Sequence, residues 1–528
     1  MKILSTFRLI VFAALLLATG SAVGTQPPDV VTSDATGNTA MGSSALLNST
    51  TGYGNNTASG YQALLNNTTG VNNTASGNSA LYSNTQGVSN TASGYDALYS
   101  NTTGVSNTAT GYGALYYNTV GYYNTASGEY ALFSNTSGYY NTASGIYALQ
   151  YNTTGSYNSA NGAWALYANS TGSDNTASGY GALTANTTGG YNTAAGYTAL
   201  NENTTGIYNS ALGFSALDYN TSGAYNTASG SNALLENMTG SNNTASGANA
   251  LYHNSSGANN TASGYDALYA NTTGNYNNAS GYFALRNNSS GAQNSASGVQ
   301  ALYGNKTGNY NTASGTDALF SNTTGSSNIA EGYKAGYNLT TGSNNIDVGN
   351  LGVAAESGTI RIGTSSTQTA TYIAGIYGTS VTGNAVVVSS TGQLGVTVSS
   401  ERFKTAIAPM GSATAKLGQL RPVSFKLKID ATGTRQYGLI AEEVAKVYPE
   451  LVIRDENGRI DGVRYDELAP MLLNEIQKRD AAQAEKDAAQ AEKNALQEKH
   501  MAAQDAKISQ LMGQLAEMHA ALVKLQSS

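Results

Sequence analysis

Side chains able to carry covalent or acid–base chemistry are sparse in this chain, and they gather toward one end. Ser399 and Ser400 lie five and four residues before Lys404. A lysine takes a proton from a hydroxyl only when its amine is neutral, which requires withdrawal from water. Five-residue spacing does not set Ser399 and Lys404 on one helix face, so a bend or a neighbouring chain must bring them together. Taken alone, the two serines read as caps of the next element and Lys404 as a solvated charge. Glu442, Glu443 and Asp466 offer paired carboxylates, but nothing around them suggests a second active site, and they read as exposed helix charges. His253, His500 and His519 are far apart in sequence, so a histidine metal centre is not expected. The chain has no cysteine, which removes disulfides, thiolate metal sites and a lipidated cysteine anchor. No cofactor or metal is expected.

The elements that position these residues differ in kind along the chain. Of 528 residues only 24 are Lys or Arg and 31 Asp or Glu, giving a net charge of −7 with no basic run. That balance argues against a nucleic-acid partner. Residues 25–350 hold 3 basic and 12 acidic side chains, while residues 399–528 hold 18 of each. Two domains of different physical type follow from this asymmetry.

Lys2 and Arg8 flank the start of an apolar run, Leu9 to Ala18, and small residues follow at Ala22 and Gly24. This is the layout of a Sec export signal over residues 1–24, too short for a comfortable membrane span. A leader over 25–41 completes the N-terminus. The expected destination is secretion or the cell surface. No integral membrane anchor is found elsewhere.

Residues 42–349 repeat one unit nineteen times. From Gly60 to Gly349 a glycine recurs every 17 residues, and Gly42 precedes the first by 18. Ala stands two before the glycine from Ala58 to Ala330 and three after it from Ala63 to Ala335, followed nearly always by Leu, from Leu64 to Leu319; Asn recurs seven after and a second glycine ten after. A period without slippage gives every repeat an equivalent place, which a solenoid provides. The glycines suit turns with positive φ or close backbone approach, and Asn suits left-handed turns and stacked amide ladders. Two alanines and one leucine make a narrow core, so a lone rod is marginal and several chains are expected to pack together. At ~4.8 Å per coil, the rod is about 90 Å long.

The N-x-A-x-G unit, as in Asn56-Thr57-Ala58-Ser59-Gly60, resembles the head repeats of trimeric autotransporter adhesins, which are parallel β-rolls of three associated chains. The 17-residue period is longer than is typical of those heads. The extra residues, such as Tyr61-Gln62-Ala63-Leu64, fit either a strand or a helical turn.

Residues 350–398 carry short β-rich runs, TIRIG, TYIAGIYG and NAVVVSSTGQLGVTV, read as a β stalk. Over 399–478 a strand is expected at Arg421–Lys426, a helix at Ala441–Val447 and a hairpin from Leu451 through Gly458. SSERFK at 399–404, GLIAEEV at 438–444 and DGVRYDEL at 461–468 occur in that order. Together they resemble the intramolecular chaperone domain of phage endosialidase tailspikes, serine peptidase family 74, which cleaves its own chain. The resemblance implies a Ser–Lys dyad with Ser399 as nucleophile and Lys404 as general base; Ser400 is the rival nucleophile. It also implies a homotrimer.

Residues 479–528 read as a coiled coil. An alanine seam runs Ala481, Ala484, Ala488, Ala491 and Ala495, and after a phase change a second runs Ile508, Leu511, Leu515, Met518, Leu522 and Leu525.

The expected architecture is mainly β: a repetitive parallel β-solenoid or β-roll rod, a β stalk, a small α+β chaperone domain and a C-terminal coiled coil. The expected function is an exported, adhesin-like homotrimer whose C-terminal domain drives assembly and is removed by self-cleavage beside Ser399. A glycan or other surface ligand suits a rod rich in Tyr, Asn and Thr. The alternatives are a prophage-type tail fibre and an ice- or surface-binding solenoid, the latter requiring the Thr rows to line one flat face.

Overall fold

Thr-Ala-Ser, the commonest triplet before each coil glycine, places its central residue on the opposite side of an extended backbone from its neighbours. In the computed structural model, which describes residues 32–50, 54–374, 385–389, 391–430, 433–455 and 457–526, this triplet is the strand of each coil. The alanine points inward and is buried, while the flanking Thr and Ser face out, as in Thr74–Ser76 and Thr142–Ser144. Each strand pairs in parallel with the next coil in exact repeat register: Thr57 with Thr74, Ala58 with Ala75, Ser59 with Ser76. Nineteen such strands run from Thr39–Met41 to Ile346–Val348. The chain is a β-solenoid over this region and mainly β. The export signal expected over 1–24 lies outside the described residues, as does the leader up to residue 31.

The sheet extends past both expected limits of the repeat. Thr32–Ser33 pairs antiparallel with Thr39–Met41 at the first coil. Ile360–Ile362, the TIRIG run assigned to the stalk from sequence, pairs in parallel with Ile346–Val348 and makes one further rung.

Between strands the chain turns; the extra residues form neither a strand nor a regular helix. The leucine column sits in the left-handed region, with φ of 51° at Leu64 and 54° at Leu81. A non-glycine residue there costs about 1 kcal/mol or more. The conformation is held because each leucine from Leu64 to Leu319 is fully buried and its N–H donates to the next coil, Leu64 to the Ala80 carbonyl at 2.9 Å. Both glycines permit close approach of the next coil, a Cβ at Gly60 running into the Gly77 carbonyl, and Gly60 alone also needs a positive φ. Gly60 has φ +136°, whereas Gly70 lies outside the left-handed region. At Gly70 a Cβ would run into the Gly87 carbonyl oxygen and the Asn67 and Asn84 amides, so glycine there permits the coils to approach.

Two asparagine rows complete the interior, both fully buried. In one, Asn73 donates its backbone N–H and its Nδ2 to Asn56 Oδ1 at 2.9 and 3.2 Å, and Nδ2 also donates to the Gly87 carbonyl at 2.8 Å. In the other, Asn84 Nδ2 donates to Asn67 Oδ1 at 2.8 Å. Each amide satisfies the coil before it, so the core tolerates polar side chains at no desolvation loss.

The second unit, Ala374–Ser528, is built around a small core of Val444, Tyr448, Leu451, Val452 and Leu468. Val423–Phe425 pairs antiparallel with Gln436–Gly438, and Val452–Arg454 with Ile460–Val463. Helix α1 spans Ala441–Val447, as its sequence pattern suggests, and gives way to a 3-10 turn at Pro449–Leu451. Helix α2 runs from Tyr465 to Gln526 without interruption. The expected boundary at 478/479 therefore falls inside one helix. No described helix is long and apolar enough to cross a membrane.

Candidate functional site

Ser399 and Lys404 are brought together by the local backbone. Glu401–Phe403 forms a single 3-10 turn, closed by the Phe403 N–H on the Ser400 carbonyl at 3.0 Å and the Lys404 N–H on the Glu401 carbonyl at 2.9 Å. This turn is the bend that helical spacing cannot supply. It leaves Lys404 Nζ 3.3 Å from Ser399 Oγ. Ser400 occupies the N-cap position, but its hydroxyl makes no capping bond to the turn. The Arg402 guanidinium lies over the Phe403 ring at 4.7 Å.

The pair is exposed in the single chain, and so is every described residue from 385 to 413. Val386, Val388, Leu394, Val396, Val398, Phe403, Ile407 and Met410 all present apolar surface. Together they make an extended apolar stretch that the single chain leaves uncovered. Helix α2 shows the same condition: Ile508, Leu511, Leu515, Met518 and Leu522 are more than half exposed.

The carboxylates do not assemble into a second site. Glu443 is tied to Arg421, with Nη2–Oε1 at 2.6 Å and Nε–Oε2 at 3.2 Å, and the guanidinium holds the Glu443 carboxyl below its usual range. Glu442 and Asp466 stand exposed in the first turns of α1 and α2, where negative charge suits the helix dipole. Among the described residues no cluster of His, Asp and Glu could hold a metal ion. His253 instead lies 2.7 Å from Glu236 on the solenoid.

On the solenoid, the outward residues of the strands, mostly Thr and Ser with exceptions such as Asn161, Leu212 and Asn278, form two rows on one parallel sheet. From Thr57–Ser59 to Thr312–Ser314 the outward positions carry no charge; the first to do so is Glu331. Tyrosines occupy the turns. Their ring faces are largely taken by one another, as in Tyr82 on Tyr99 at 4.8 Å and Tyr180 on Tyr197 at 5.4 Å. Along these columns, edges and hydroxyls are what a ligand would meet.

One buried group was not anticipated. Asp347 takes the place of the inward alanine in the last coil and is 1% exposed. Neither of its carboxyl oxygens has a hydrogen-bond partner. Gly336 stands where the leucine column would continue, and Leu339 where the asparagine row would, leaving Asn322 Oδ1 unpaired as well. Burial, with a contribution from Glu356 and against that of Arg361, pushes the Asp347 carboxyl up to about 6. The sequence carried the signal: three fixed columns break within a dozen residues.

A β-solenoid, a small α+β unit and a long exposed helix in one chain fit a protein of the phage tail-fibre kind. Residues 399–453, which include the Ser399–Lys404 pair, match the family described as the chaperone of endosialidase. No curated protein matches the chain.

Proposed function

We propose that this is an exported fibrous homotrimer whose C-terminal unit drives assembly and is then removed by self-cleavage beside Ser399. The observation that carries the reading is the 3.3 Å contact of Lys404 Nζ with Ser399 Oγ, inside the segment that matches the chaperone family. Ser399 acts as nucleophile and Lys404 as its general base. The exposure of both, and of the apolar stretch around them, supports a neighbouring chain that closes over the pair and excludes water from the amine. Three α2 helices joined along Leu511, Leu515, Met518 and Leu522 set the chains in register. The rod then closes coil on coil. Loss of the assembly unit leaves it without the route by which it formed, which is kinetic stabilisation.

The test is gel electrophoresis of the purified chain, with and without boiling. Wild type is expected as a boiling-sensitive trimer and, after boiling, as two fragments, with N-terminal sequencing locating the cut. Ser399→Ala and Lys404→Ala are expected to leave one full-length band, and Ser400→Ala to process. Wild-type cleavage in Ser399→Ala refutes the dyad; a folded monomer refutes the assembly.

A second reading concerns what the rod does. The uncharged Thr and Ser rows on one sheet favour contact with an ordered, uncharged surface such as ice or a crystalline neutral polysaccharide. Its readout is retention of the folded chain on that surface.

A further inference from the structure

The chain has 37 tyrosines and no cysteine, so no disulfide can staple its coils. One edge of the solenoid offers another covalent chemistry. Twelve residues after each coil glycine the backbone enters the left-handed region, with φ of 53° at both Tyr123 and Tyr140 and 59° at Tyr157. Each of these residues donates its N–H to the preceding coil: Tyr123 to the Val105 carbonyl at 2.9 Å, Tyr140 to Tyr122 at 3.1 Å, Tyr157 to Tyr139 at 3.0 Å. The side chains therefore leave every coil in the same direction. Tyr123, Tyr140 and Tyr157 stack at 5.0 and 5.3 Å with planes 9° and 14° apart. Tyr191, Tyr208 and Tyr225 repeat the arrangement at 4.7 and 5.1 Å, with 5° and 8° between planes. All six remain about half exposed, within reach of a dissolved oxidant or an enzyme surface.

We propose that these two stacks are sites of oxidative coil-to-coil cross-linking, in which neighbouring phenols couple to dityrosine under a haem peroxidase and hydrogen peroxide. Each phenol gives up one electron and one proton to become a phenoxyl radical. Two radicals join through a carbon–carbon bond between ring positions ortho to oxygen. The hydrogen on each joined carbon then moves to oxygen, restoring two phenols. In net terms two C–H bonds are broken, one C–C bond is formed, and two electrons and two protons reduce one peroxide to two waters. Coupling demands that a second radical meet the first before either is quenched. A ring fixed in the adjacent coil meets that demand far better than a ring on another molecule.

The same edge contains its own control. Tyr276 and Tyr310 occupy equivalent positions and are 62% and 60% exposed, but their column neighbours are Asn259, Gln293 and Ser327. If exposure alone governed oxidation, they would react at least as well as the stacked rings.

The experiment treats the full chain with a haem peroxidase and hydrogen peroxide, reads dityrosine fluorescence, and maps linked peptides by mass spectrometry after digestion. The expected links lie within one chain at a spacing of seventeen residues: Tyr123–Tyr140, Tyr140–Tyr157, Tyr191–Tyr208 and Tyr208–Tyr225. Tyr140→Phe with Tyr208→Phe keeps the stacks but removes the central phenols, and is expected to lower the dityrosine yield measurably, stacked pairs elsewhere such as Tyr180–Tyr197 keeping theirs, while leaving the circular dichroism spectrum unchanged. Links that join different chains, or that involve Tyr276 and Tyr310 as often as the stacked residues, overturn the proposal. So does an unchanged yield in the double variant.

Discussion

Replacing Asp347 by alanine is expected to stabilise the last coil of the solenoid, and to do so more as pH rises. Ala is the residue that every earlier coil carries at this position, from Ala58 to Ala330, so the substitution restores a shape the fold already accommodates. The carboxyl has an ordinary value of 3.8 and is raised to about 6 in the folded chain. For an acid raised on folding, the unfolded form ionises first. Stability is therefore greatest below the unfolded value, falls as pH climbs through the interval between the two, and levels off above the folded one. A displacement from 3.8 to about 6 corresponds to ~3 kcal/mol across that window. The gain from Asp347→Ala should reach about 4 kcal/mol at about pH 8, that ~3 kcal/mol added to the roughly 1 kcal/mol of removing an unpartnered neutral acid, and should shrink toward roughly 1 kcal/mol below about pH 4. Because end coils open on their own, the measurement is amide hydrogen exchange at Ile346 and Gly349, whose N–H groups donate to Thr359 and Glu331. Wild-type protection, corrected for intrinsic rate, should fall with pH and the variant's should not. Flat wild-type protection, or a variant less protected at about pH 8, would refute the argument.

Asn141→Ala should cost ~3 kcal/mol by denaturant titration, since it removes bonds to Asn124 and Gly155 and leaves the Asn158 backbone N–H without its acceptor, whereas exposed Thr142→Ala beside it should stay within about 0.5 kcal/mol. If the sheet rows bind an ordered surface, Thr125→Tyr with Thr142→Tyr should reduce retention on it while leaving the thermal transition in place; undiminished retention removes the sheet from that role.

The repeat was legible because every coil is under the same constraint. A column that must be Ala in one coil must be Ala in the next, so the strand, the narrow core and the amide ladders could all be read from spacing. The turn geometry was not legible, because nothing in a buried Leu announces a left-handed backbone; that conformation is imposed by pairing with the next coil. TIRIG was assigned to a stalk because the 17-residue period ends before it, although its backbone still finds an open sheet edge. In the second unit, α1, the strand at Val423–Phe425 and the hairpin after Leu451 followed local pattern, whereas the pairing of Val423–Phe425 with Gln436–Gly438 did not announce itself. The Ser399–Lys404 contact needed a 3-10 turn that the sequence leaves unspecified, and so only the resemblance pointed to the pair.

The inner asparagine row has a consequence for where this chain can be made. Asn67, Asn101, Asn135 and Asn152 are each followed two residues later by Ser or Thr, which is the acceptor pattern for N-linked glycosylation. All four are fully buried in the amide ladder. A sugar attached to any of them before folding could not enter the row, and would leave the coils on either side without their shared hydrogen bonds. The solenoid is therefore suited to compartments that lack such a transferase, or to folding that outruns it.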